Sequence, residues 1–492
     1  MIVSIETQDS NNIQPGYSGK RLVISYIGKS HNVEFLTYDI PAEQMFQWRY
    51  AKKIDTADPI WQSWDWKPVF RDYNTKFLSD SRVKEIIMDM QDKWPETREI
   101  NNLYDPDTYY TDIEVDVTDD GFPDAEHARN PINTISWVHN NEVVVLGRKS
   151  ITDNDCKWIQ EQINEHCKQF DTKYIFKYEY WAEEVDLINR YFNYYIAPAT
   201  CVTGWNYFGY DYPYLYNRAE LLGIDKSCLS PTNSWYKYKP WKGHGEPITL
   251  PKHKLMFDYM EIFDKWDRTI DPKENTKLDW VSEKVLGTKK VVHQLGFKQE
   301  WEQKPVEYIF YNAVDSILVR ELDLSLKTSA AFYGLANLMH IPALNAFSPV
   351  RSIESVQVEY LYKEHRVMPS SKKTEVPKSD YEGAFVYKPI PGIYKNVLCL
   401  DYSSLYPTTI RQFNISPDTL ICKDKNHKRQ SNEISTTSGA IFRRDVEGFI
   451  PKILDDYFAK RKEYKNEMLI AYEERMELEH IYEHRFKTIL EE

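Results

Sequence analysis

The amino-acid sequence predicts a multidomain protein with α/β and α+β parts, and three observations support this prediction. The 492 residues correspond to roughly three or four domains. The segment from Tyr109 to Val117 alternates along a run of β-branched residues, which predicts a strand. Residues 307–322 have a helical pattern, and the last stretch of about 40 residues lacks both Gly and Pro, which predicts a long helix.

The composition restricts the class of protein. The six cysteines show no Cys-x-x-Cys pairing, so neither a zinc site nor a disulfide framework is indicated. The amino terminus lacks a charged start followed by an apolar core, and there is no apolar run of about 18 residues. We therefore expect a cytoplasmic protein without membrane association. The net charge of −13 argues against a protein that coats nucleic acid along its whole surface.

Two carboxylates lie on the predicted strand, at Asp112 and Glu114. Because side chains two residues apart on a strand project from the same face, we expect these carboxylates to lie side by side. Such a pair is repulsive unless cations lie between its members. The spacing therefore indicates a metal site.

Three further residues extend this candidate site. Asp211 follows Gly204 and Gly209, which predict tight turns that enter a helix. Tyr311 and Asp315 are four residues apart in a helical pattern and therefore share one face. Hard oxygen ligands of this kind fit two Mg²⁺ or Mn²⁺ ions. Two ions about 3.5–4 Å apart can activate a water and stabilise the leaving oxygen of a phosphodiester.

A second candidate site lies at residues 397–407, with the sequence VLCLDYSSLYP. The apolar start of this segment predicts a buried strand that delivers Asp401 to its carboxyl end. Pro407 is expected to end the turn that follows. Ligands commonly bind at the carboxyl end of such a strand.

The motifs together resemble those of a known family. Three of them resemble the exonuclease motifs of the DnaQ-like fold: Asp112-Ile-Glu114, Asn206 with Asp211, and Tyr311 with Asp315. The segment LDYSSLYP, followed by TTIRQFNISPDTL, resembles the first catalytic motif of a polymerase palm. The chain is thus similar to family B DNA polymerases of the T-even bacteriophage type. This resemblance implies that the four carboxylates hold two Mg or Mn ions and that the tyrosine hydroxyl orients the attacking water.

The resemblance also implies a domain organisation with four parts. These are a discontinuous amino-terminal domain, a DnaQ/RNase H-like 3′-5′ exonuclease domain, a partial polymerase palm and half of the fingers. The expected boundaries are, in the same order, residues 1–104 with 331–376, residues 105–330, residues 377–445, and residues 446–492 as the first fingers helix.

For the palm, the resemblance implies a role for each residue of the second site. Asp401 would hold both polymerase metals, again Mg or Mn, and the carbonyl of Tyr402 would hold one of them. The backbone of Ser404 and Leu405 would contact the triphosphate. The ring of Tyr406 would leave no room for a 2′-hydroxyl and would therefore reject ribonucleotides.

The long carboxy-terminal helix contains a cluster of cations. Arg461 and Lys465 are one turn apart, with Lys462 beside them, and the cluster resembles the nucleotide-binding helix of the fingers. Arginine and lysine suit triphosphate oxygens by charge and geometry. The alternative is a solvated helix face, and the position after the Asp401 motif favours nucleotide binding.

The family pattern continues with two motifs that this sequence does not contain, Lys-x-x-x-Asn-Ser-x-Tyr-Gly and Asp-Thr-Asp. Because the second supplies the other metal-binding carboxylate, we expect negligible nucleotide transfer by this chain alone. An apolar stripe on the final helix predicts a partner helix from a carboxy-terminal polymerase chain. The stripe consists of Met468, Tyr472, Met476, Tyr482, Phe486 and Leu490. A shortened form of a one-chain enzyme would have the same sequence.

A basic and aromatic segment runs from Trp235 to Lys254. Stacking rings and lysines that bind phosphate would suit a single DNA strand entering the nuclease, with Lys237, Lys239, Lys242, Lys252 and Lys254 as the cations. A solvated hairpin explains the same pattern equally well.

These expectations combine into one hypothesis of function. The chain is expected to be the amino-terminal part of a replicative DNA polymerase, with a complete proofreading exonuclease and an incomplete polymerase site. Its expected partners are primer-template and single-stranded DNA, deoxynucleoside triphosphates, the carboxy-terminal chain, and a sliding clamp contacted through that chain. It would act in the cytoplasm of an infected bacterium. The alternatives are a stand-alone 3′-5′ DNA exonuclease with a palm remnant and a non-enzymatic DNA-binding or regulatory module.

Overall fold

A computed structural model describes all residues except 15–16, 53–54, 56–58, 60, 75–76, 118–122, 242–245, 271, 292–294, 370–386, 425 and 492, and it describes only the backbone at 10–14, 17–18 and 483–491. The strands in this part of the chain are β1 Ile2–Gln14, β2 Tyr17–Ile27, β3 Val33–Ile40, β4 Gln47–Tyr50, β5 Trp61–Ser63, β6 Pro68–Asp72, β7 Thr108–Val115, β8 Ile132–His139, β9 Glu142–Gly147, β10 Ile175–Tyr180, β11 Cys201–Gly204, β12 Trp235–Tyr238, β13 Ile248–Pro251, β14 Leu255–Asp258, β15 Arg366–Val367, β16 Leu420–Lys423, β17 Glu433–Ser435 and β18 Ala440–Arg443. The α-helices are α1 Asp80–Lys93, α2 Asp153–His166, α3 Glu184–Tyr191, α4 Asp211–Leu221, α5 Tyr259–Trp266, α6 Leu278–Leu286, α7 Phe297–Gln303, α8 Pro305–Leu326, α9 Thr328–Leu338, α10 Pro349–Lys363, α11 Leu405–Gln412 and α12 Phe449–Glu491.

The chain divides into two compact units. The first unit comprises Met1–Ala42 and Met90–Ser355, and the second comprises Glu43–Asp89 and Val356–Glu492. Both units contain β-sheets and α-helices, as the sequence predicted. The domain boundaries expected from the family resemblance remain a prediction.

A six-stranded mixed sheet forms the centre of the first unit, in the order β10-β9-β8-β7-β11-β14. Strands β7, β8 and β9 are antiparallel neighbours, β11 is parallel to β7 and β14, and β10 is parallel to β9. Apolar clusters cover both faces of this sheet. Strand β9, with the sequence EVVVLG, has the nearly continuous apolar run that burial on both faces requires.

Helix α8 lies against one face of the sheet. It begins at Pro305, a residue that suits the first helical position because the missing N–H has no helical partner there. It is followed by Lys327, whose left-handed backbone, with φ of 52°, ends the helix. Every residue from Tyr308 to Val319 is buried. The helix is therefore fixed along most of its length.

The face of β7 that carries the two predicted carboxylates is directed to α8. Tyr110, two residues before Asp112, belongs to the same apolar cluster as Ile309 and Ile317 of α8. Asp112 and Glu114 share the face of Tyr110 because alternate residues of a strand project to one side. The predicted strand Tyr109–Val117 is confirmed, with observed bounds Thr108–Val115.

Strand β11 approaches β7 very closely at Gly204. A Cβ atom there would lie 2.4 Å from the carbonyl oxygen of Thr111 on β7, so this position requires glycine. The chain then turns through Asn206, which has a φ of 61°, and enters α4 at Asp211. The predicted turn and helix are confirmed.

The basic and aromatic segment forms the antiparallel hairpin β12–β13. Lys237 on this hairpin donates to the hydroxyl of Thr249, and Lys252 pairs with Glu6. Lys254 is buried and donates to three backbone carbonyls, those of residues 196, 197 and 199. A DNA-binding role for Lys254 is therefore wrong, because its ammonium group is used within the fold. Lys242 lies outside the described residues.

The second unit contains two small sheets, with the orders β15-β5-β6-β4 and β16-β18-β17. Arg366 is buried, donates to the carbonyl of Trp64, and forms an ion pair of 3.2 Å with Asp418. Helix α11 packs against α12, and the guanidinium of Arg411 lies 5.1 Å from the ring centroid of Phe458.

The buried strand predicted before Asp401 is wrong. Val397, Leu398 and Leu400 are in irregular backbone and are 74–84% exposed. The physical reason is that no described strand pairs with this segment, so its apolar side chains have no sheet to pack on. Pro407 also does not end a turn, because it lies in the first turn of α11.

The long final helix is confirmed as α12. Met468, Tyr472, Met476 and Tyr482 of the predicted stripe are 48–62% exposed on it. The side chains of Phe486 and Leu490 lie outside the described residues. Among the helices that the structure describes, none combines the length and the apolar character needed to cross a bilayer.

Candidate metal centre

Three of the predicted carboxylates meet between β7 and α8. Asp112, Glu114 and Asp315 each offer one carboxylate oxygen, and these oxygens all lie within 4.8 Å of one another. Asp211, at the start of α4, is outside this group but adjoins it, because its Oδ1 accepts a hydrogen bond of 3.1 Å from the backbone N–H of Ile113. The strand, the turn and the two helices thus bring four acids from three distant motifs to one place.

Burial and mutual repulsion disfavour the charged forms of these acids. Desolvation, followed by repulsion from Asp315, raises the pKa of Asp112 to about 7. The pKa values of Glu114 and Asp211 are raised well above their usual range, first by desolvation and then by the charge of Asp112. A cluster of this kind has a strong electrostatic demand for cations.

Lys290 supplies a positive charge that the sequence analysis missed. Its Nζ lies 2.5 Å from Oδ2 of Asp315 and 4.9 Å from the centroid of the Tyr311 ring. Burial alone would lower the pKa of this lysine, but the carboxylates of Asp315, Asp112 and Glu114 outweigh that effect and raise it. The ammonium group is therefore held in its charged form beside the acids.

The local backbone explains how Lys290 reaches the cluster. Helix α6 ends at Gly287, whose φ of 69° is a left-handed conformation that glycine adopts easily. The backbone N–H of Lys290 then donates to Oδ1 of Asp279 on α6, at 3.1 Å. In the sequence, two adjacent lysines after a helix are typical of a solvated loop, so no local signal distinguishes Lys290 from Lys289.

Tyr311 lies one helical turn before Asp315 and is 7% exposed. Desolvation raises the pKa of its hydroxyl, and so do the charges of Asp315 and Glu114. The hydroxyl therefore stays protonated at neutral pH and can donate a hydrogen bond.

The residues predicted for the polymerase site are in the second unit. Asp401 is exposed, and the side chains of Tyr402 and Tyr406 are 78% and 76% exposed. Ser404 has a left-handed backbone with φ of 51° and precedes Leu405, the first residue of α11. Among the described residues, Asp401 is not part of any group of three or more acidic, histidine or cysteine side chains that could hold a metal ion.

The two predicted triphosphate ligands are on α12. Arg461 and Lys465 are exposed and lie on the same helix as Phe458, which packs against α11. The structure thus assembles the predicted exonuclease residues, whereas the predicted polymerase residues lie on exposed surfaces of α11, α12 and the segment before α11.

Comparison with known protein families also distinguishes a nuclease segment from a polymerase segment. Residues 75–264 match the exonuclease domain of DNA polymerase family B, and residues 349–489 match the DNA polymerase family B model. Tyr311 and Asp315 lie between these ranges, so their place beside Asp112 rests on the fold.

Several curated polymerases are similar to the chain. The DNA-directed DNA polymerase of Escherichia phage RB69 is 29% identical over 388 residues, 73% of this chain and 42% of that protein. The enzyme of Enterobacteria phage T4 is 25% identical over 80% of this chain and 48% of its own length. The DNA polymerase of Archaeoglobus fulgidus is 29% identical over 54% of the chain and 32% of its own length.

The chain therefore spans less than half the length of the two phage relatives. The segment that matches the exonuclease domain, residues 75–264, precedes the segment that matches the polymerase model, residues 349–489. The chain thus contains one segment that matches the exonuclease domain of DNA polymerase family B and a second segment that matches the polymerase model of the same family.

Proposed function

We propose that the first unit hydrolyses single-stranded DNA from its 3′ end in a metal-dependent reaction and serves as the proofreading nuclease of a DNA polymerase. The observation that carries this proposal is the convergence of Asp112, Glu114 and Asp315 within 4.8 Å. The match to the family B exonuclease domain gives the reaction class.

The donor set fits Mg²⁺ or Mn²⁺. Carboxylate oxygens are the ligands that these ions prefer, and four acids with one neighbouring lysine leave an excess of negative charge. Asp112, Glu114, Asp211 and Asp315 would hold two ions. When bound, the ions supply the Lewis-acid chemistry that activates a water and stabilises the leaving oxygen.

The protein side chains have separate tasks in this proposal. The protonated hydroxyl of Tyr311 orients the attacking water beside Asp315. The ammonium of Lys290 neutralises part of the charge on Asp315 and holds that carboxylate in position. Asp211, which is hydrogen-bonded to the backbone of β7, fixes the turn that follows β11 against the site.

The test is 3′-end degradation of labelled single-stranded DNA with Mg²⁺ or Mn²⁺. Asp112→Ala should abolish cleavage and preserve DNA binding. Tyr311→Phe should slow cleavage less, because the hydroxyl orients water and holds no metal. Undiminished cleavage by Asp112→Ala would place the chemistry elsewhere, and equal losses in the two variants would reverse the proposed roles.

We further propose that the second unit contributes part of a polymerase site. Asp401 and the carbonyl of Tyr402 would hold Mg²⁺ or Mn²⁺, again as a pair of ions. The backbone of Ser404 and Leu405 would contact a deoxynucleoside triphosphate, and Tyr406 would exclude ribonucleotides. The exposure of these residues and the family match of this segment support the proposal.

On α12, Arg461 and Lys465 would contact the triphosphate. The exposed apolar stripe of the same helix suits a second fingers helix. The second metal-binding carboxylate and this helix would come from another segment, either on a separate carboxy-terminal chain or on the same polypeptide. A sliding clamp would bind through that part.

Primer extension tests the polymerase proposal. Residues 1–492 alone should not extend a primer, and adding a polypeptide with the missing motifs should restore synthesis. Asp401→Ala should then remove synthesis but not exonuclease activity. Replacing Tyr472 and Met476 with Asp should weaken association of the two polypeptides. Extension by residues 1–492 alone would contradict the proposal.

A stand-alone DNA exonuclease is the second candidate, and one observation favours it: three of the proposed nuclease acids form a group of possible metal ligands, whereas Asp401 belongs to no such group of three or more among the described residues. The two functions differ in one measurement. A stand-alone nuclease should gain no synthesis from any added polypeptide that carries the missing motifs.

A further inference from the structure

A buried amide contacts the metal centre. Asn312, the residue after Tyr311 on α8, is fully buried, and its Nδ2 donates a hydrogen bond of 2.7 Å to Oδ2 of Asp112. The bond joins the third motif to the first across 200 residues of sequence. Neither the sequence motifs nor the family matches assign a role to this side chain.

The carbonyl oxygen of the Asn312 side chain indicates that packing alone does not explain why an asparagine lies at this position. The Oδ1 of Asn312 is buried and has no hydrogen-bond partner in the part of the chain that the structure describes. An unpaired buried acceptor costs free energy, and leucine, with a similar volume, would fill the same space without that cost. The hydrogen bond to Asp112 is therefore what the amide adds at this position.

The orientation of Asp112 is the property that this bond controls. A carboxylate with one oxygen fixed by a donor cannot rotate freely, so its other oxygen keeps its direction. In the cluster, the repulsion from Glu114 and Asp315 would otherwise turn the carboxylate of Asp112 away. A neutral donor gives this restraint without adding a charge to the site.

We propose that Asn312 is a positioning residue of the metal centre, which orients the Asp112 carboxylate for metal binding through its amide hydrogen bond. This inference rests on the proposed exonuclease function. Groups that hold metal ligands in place typically change metal affinity or activity by about 10- to 100-fold when they are removed.

The helix offers a matched control one turn away. Ser316 is also fully buried on α8, and its hydroxyl lies 2.6 Å from the hydroxyl of Ser136 on β8. Like Asn312, it joins α8 to the sheet by a side-chain hydrogen bond, but its bond is to a serine and not to a metal-binding acid. Ser316→Ala therefore reports the structural effect of losing such a bond.

The experiment compares Asn312→Leu, Asn312→Ala and Ser316→Ala in the complete chain. Binding of Mn²⁺ is measured by electron paramagnetic resonance without DNA, and 3′-end cleavage is measured as a function of Mn²⁺ concentration. We expect both Asn312 variants to bind Mn²⁺ about 10-fold or more weakly. They should retain the affinity of the wild type for single-stranded DNA, and Ser316→Ala should bind Mn²⁺ normally.

Three results would overturn the proposal. One is normal Mn²⁺ binding by folded Asn312 variants, and another is an equal loss in Ser316→Ala. The third is unfolding of both Asn312 variants at the assay temperature, which would make the amide a structural residue. If the wild-type chain binds Mn²⁺ but does not cleave DNA, the proposed function fails, while the comparison of Mn²⁺ affinities still decides the role of Asn312.

Discussion

Single residues determine the charge balance of the candidate site. Lys290 is the only lysine or arginine that the described structure shows in an ion pair with one of its four acids. A buried carboxylate that loses its partner cation is strongly destabilised, because neither an opposite charge nor water then compensates its negative charge. The ion pair with Lys290 therefore stabilises the charged carboxylate of Asp315, as the proposed metal binding requires. Its neighbour Lys289 instead pairs with Glu283 and is 56% exposed.

These adjacent lysines allow a sharp prediction. Lys290→Met should lower the rate of DNA cleavage by about 100-fold, the magnitude typical of removing one preorganised charge from a site that excludes water. Lys289→Met should leave the rate unchanged, because its ammonium is at the surface. Single-turnover cleavage of labelled single-stranded DNA measures both. Similar rates for the two variants would show that Lys290 has no electrostatic role.

At the residue scale, the sequence predicts the acids better than the groups around them. Asp112, Glu114 and Asp315 could be predicted because their spacing on a strand and a helix fixes a common face. Lys290 could not, because its position depends on a left-handed glycine and a backbone hydrogen bond to another helix. Asn312 adjoins a predicted tyrosine, yet its direction depends on how α8 packs on the sheet.

At the scale of elements, the approach of β11 to β7 controls whether the motifs meet. Gly204 allows this approach, because any side chain would contact the carbonyl of Thr111. The turn after it carries Asn206 and ends at Asp211. A displacement of β11 would therefore move an acid away from the cluster.

Gly204→Ala should destabilise the chain by about 1–3 kcal/mol, because the strands must separate to accommodate the methyl group. It should also reduce cleavage, since Asp211 shifts with the turn. Gly334→Ala in α9 is the control, because nothing lies within 4 Å of its added Cβ and alanine is favoured in helices by up to about 1 kcal/mol. Denaturant unfolding measures both changes. A neutral Gly204→Ala would show that the strand pair tolerates the methyl group.

Helices and strands could be predicted where the local sequence has a clear periodicity or composition. The strand of Asp112, the helix of Tyr311 and the final helix all have their own periodicity or composition. The strand expected at 397–400 failed because a strand needs hydrogen-bonding neighbours, which a local apolar run does not supply. The use of Lys254 inside the fold was equally invisible, since its three carbonyl partners are far away in sequence.

At the scale of the whole molecule, a polar cluster joins the antiparallel strands β1 and β2 to the segment before β14. Glu6 on β1 accepts a hydrogen bond of 2.7 Å from Lys252, and His253 lies 3.1 Å from its other oxygen. His253 also contacts the hydroxyl of Ser25 on β2. Burial alone would raise the pKa of Glu6, but hydrogen bonds from Lys252, Gln8 and His253 outweigh it and lower the pKa.

The sign of this shift gives a pH dependence. The folded-state pKa of Glu6 lies below its usual value of 4.5. The stabilisation from the charged Glu6 carboxylate is therefore complete above pH 4.5 and is lost as pH falls through the folded-state pKa. Glu6→Gln should therefore lower the free energy of unfolding by about 2 kcal/mol at pH 7. The difference from wild type should shrink below pH 4.5.

Asp9→Asn is the control for Glu6→Gln, because Asp9 lies on the same strand with a side chain that is 86% exposed and pairs only at the surface with Lys20. Urea unfolding at several pH values measures the two variants. A pH-independent effect of Glu6→Gln would show that shape, and not charge, matters at this position.

The crowding of acids between β7 and α8 has a consequence for the heat stability of the chain. Mutual repulsion in the folded state is absent from the unfolded chain, where the acids separate, so any cation that neutralises the cluster favours the native form. By mass action, the melting temperature then rises with the concentration of the bound ion. A thermal scan in chelator and in increasing Mn²⁺ would thus report the occupancy of the candidate metal centre without DNA and without catalysis.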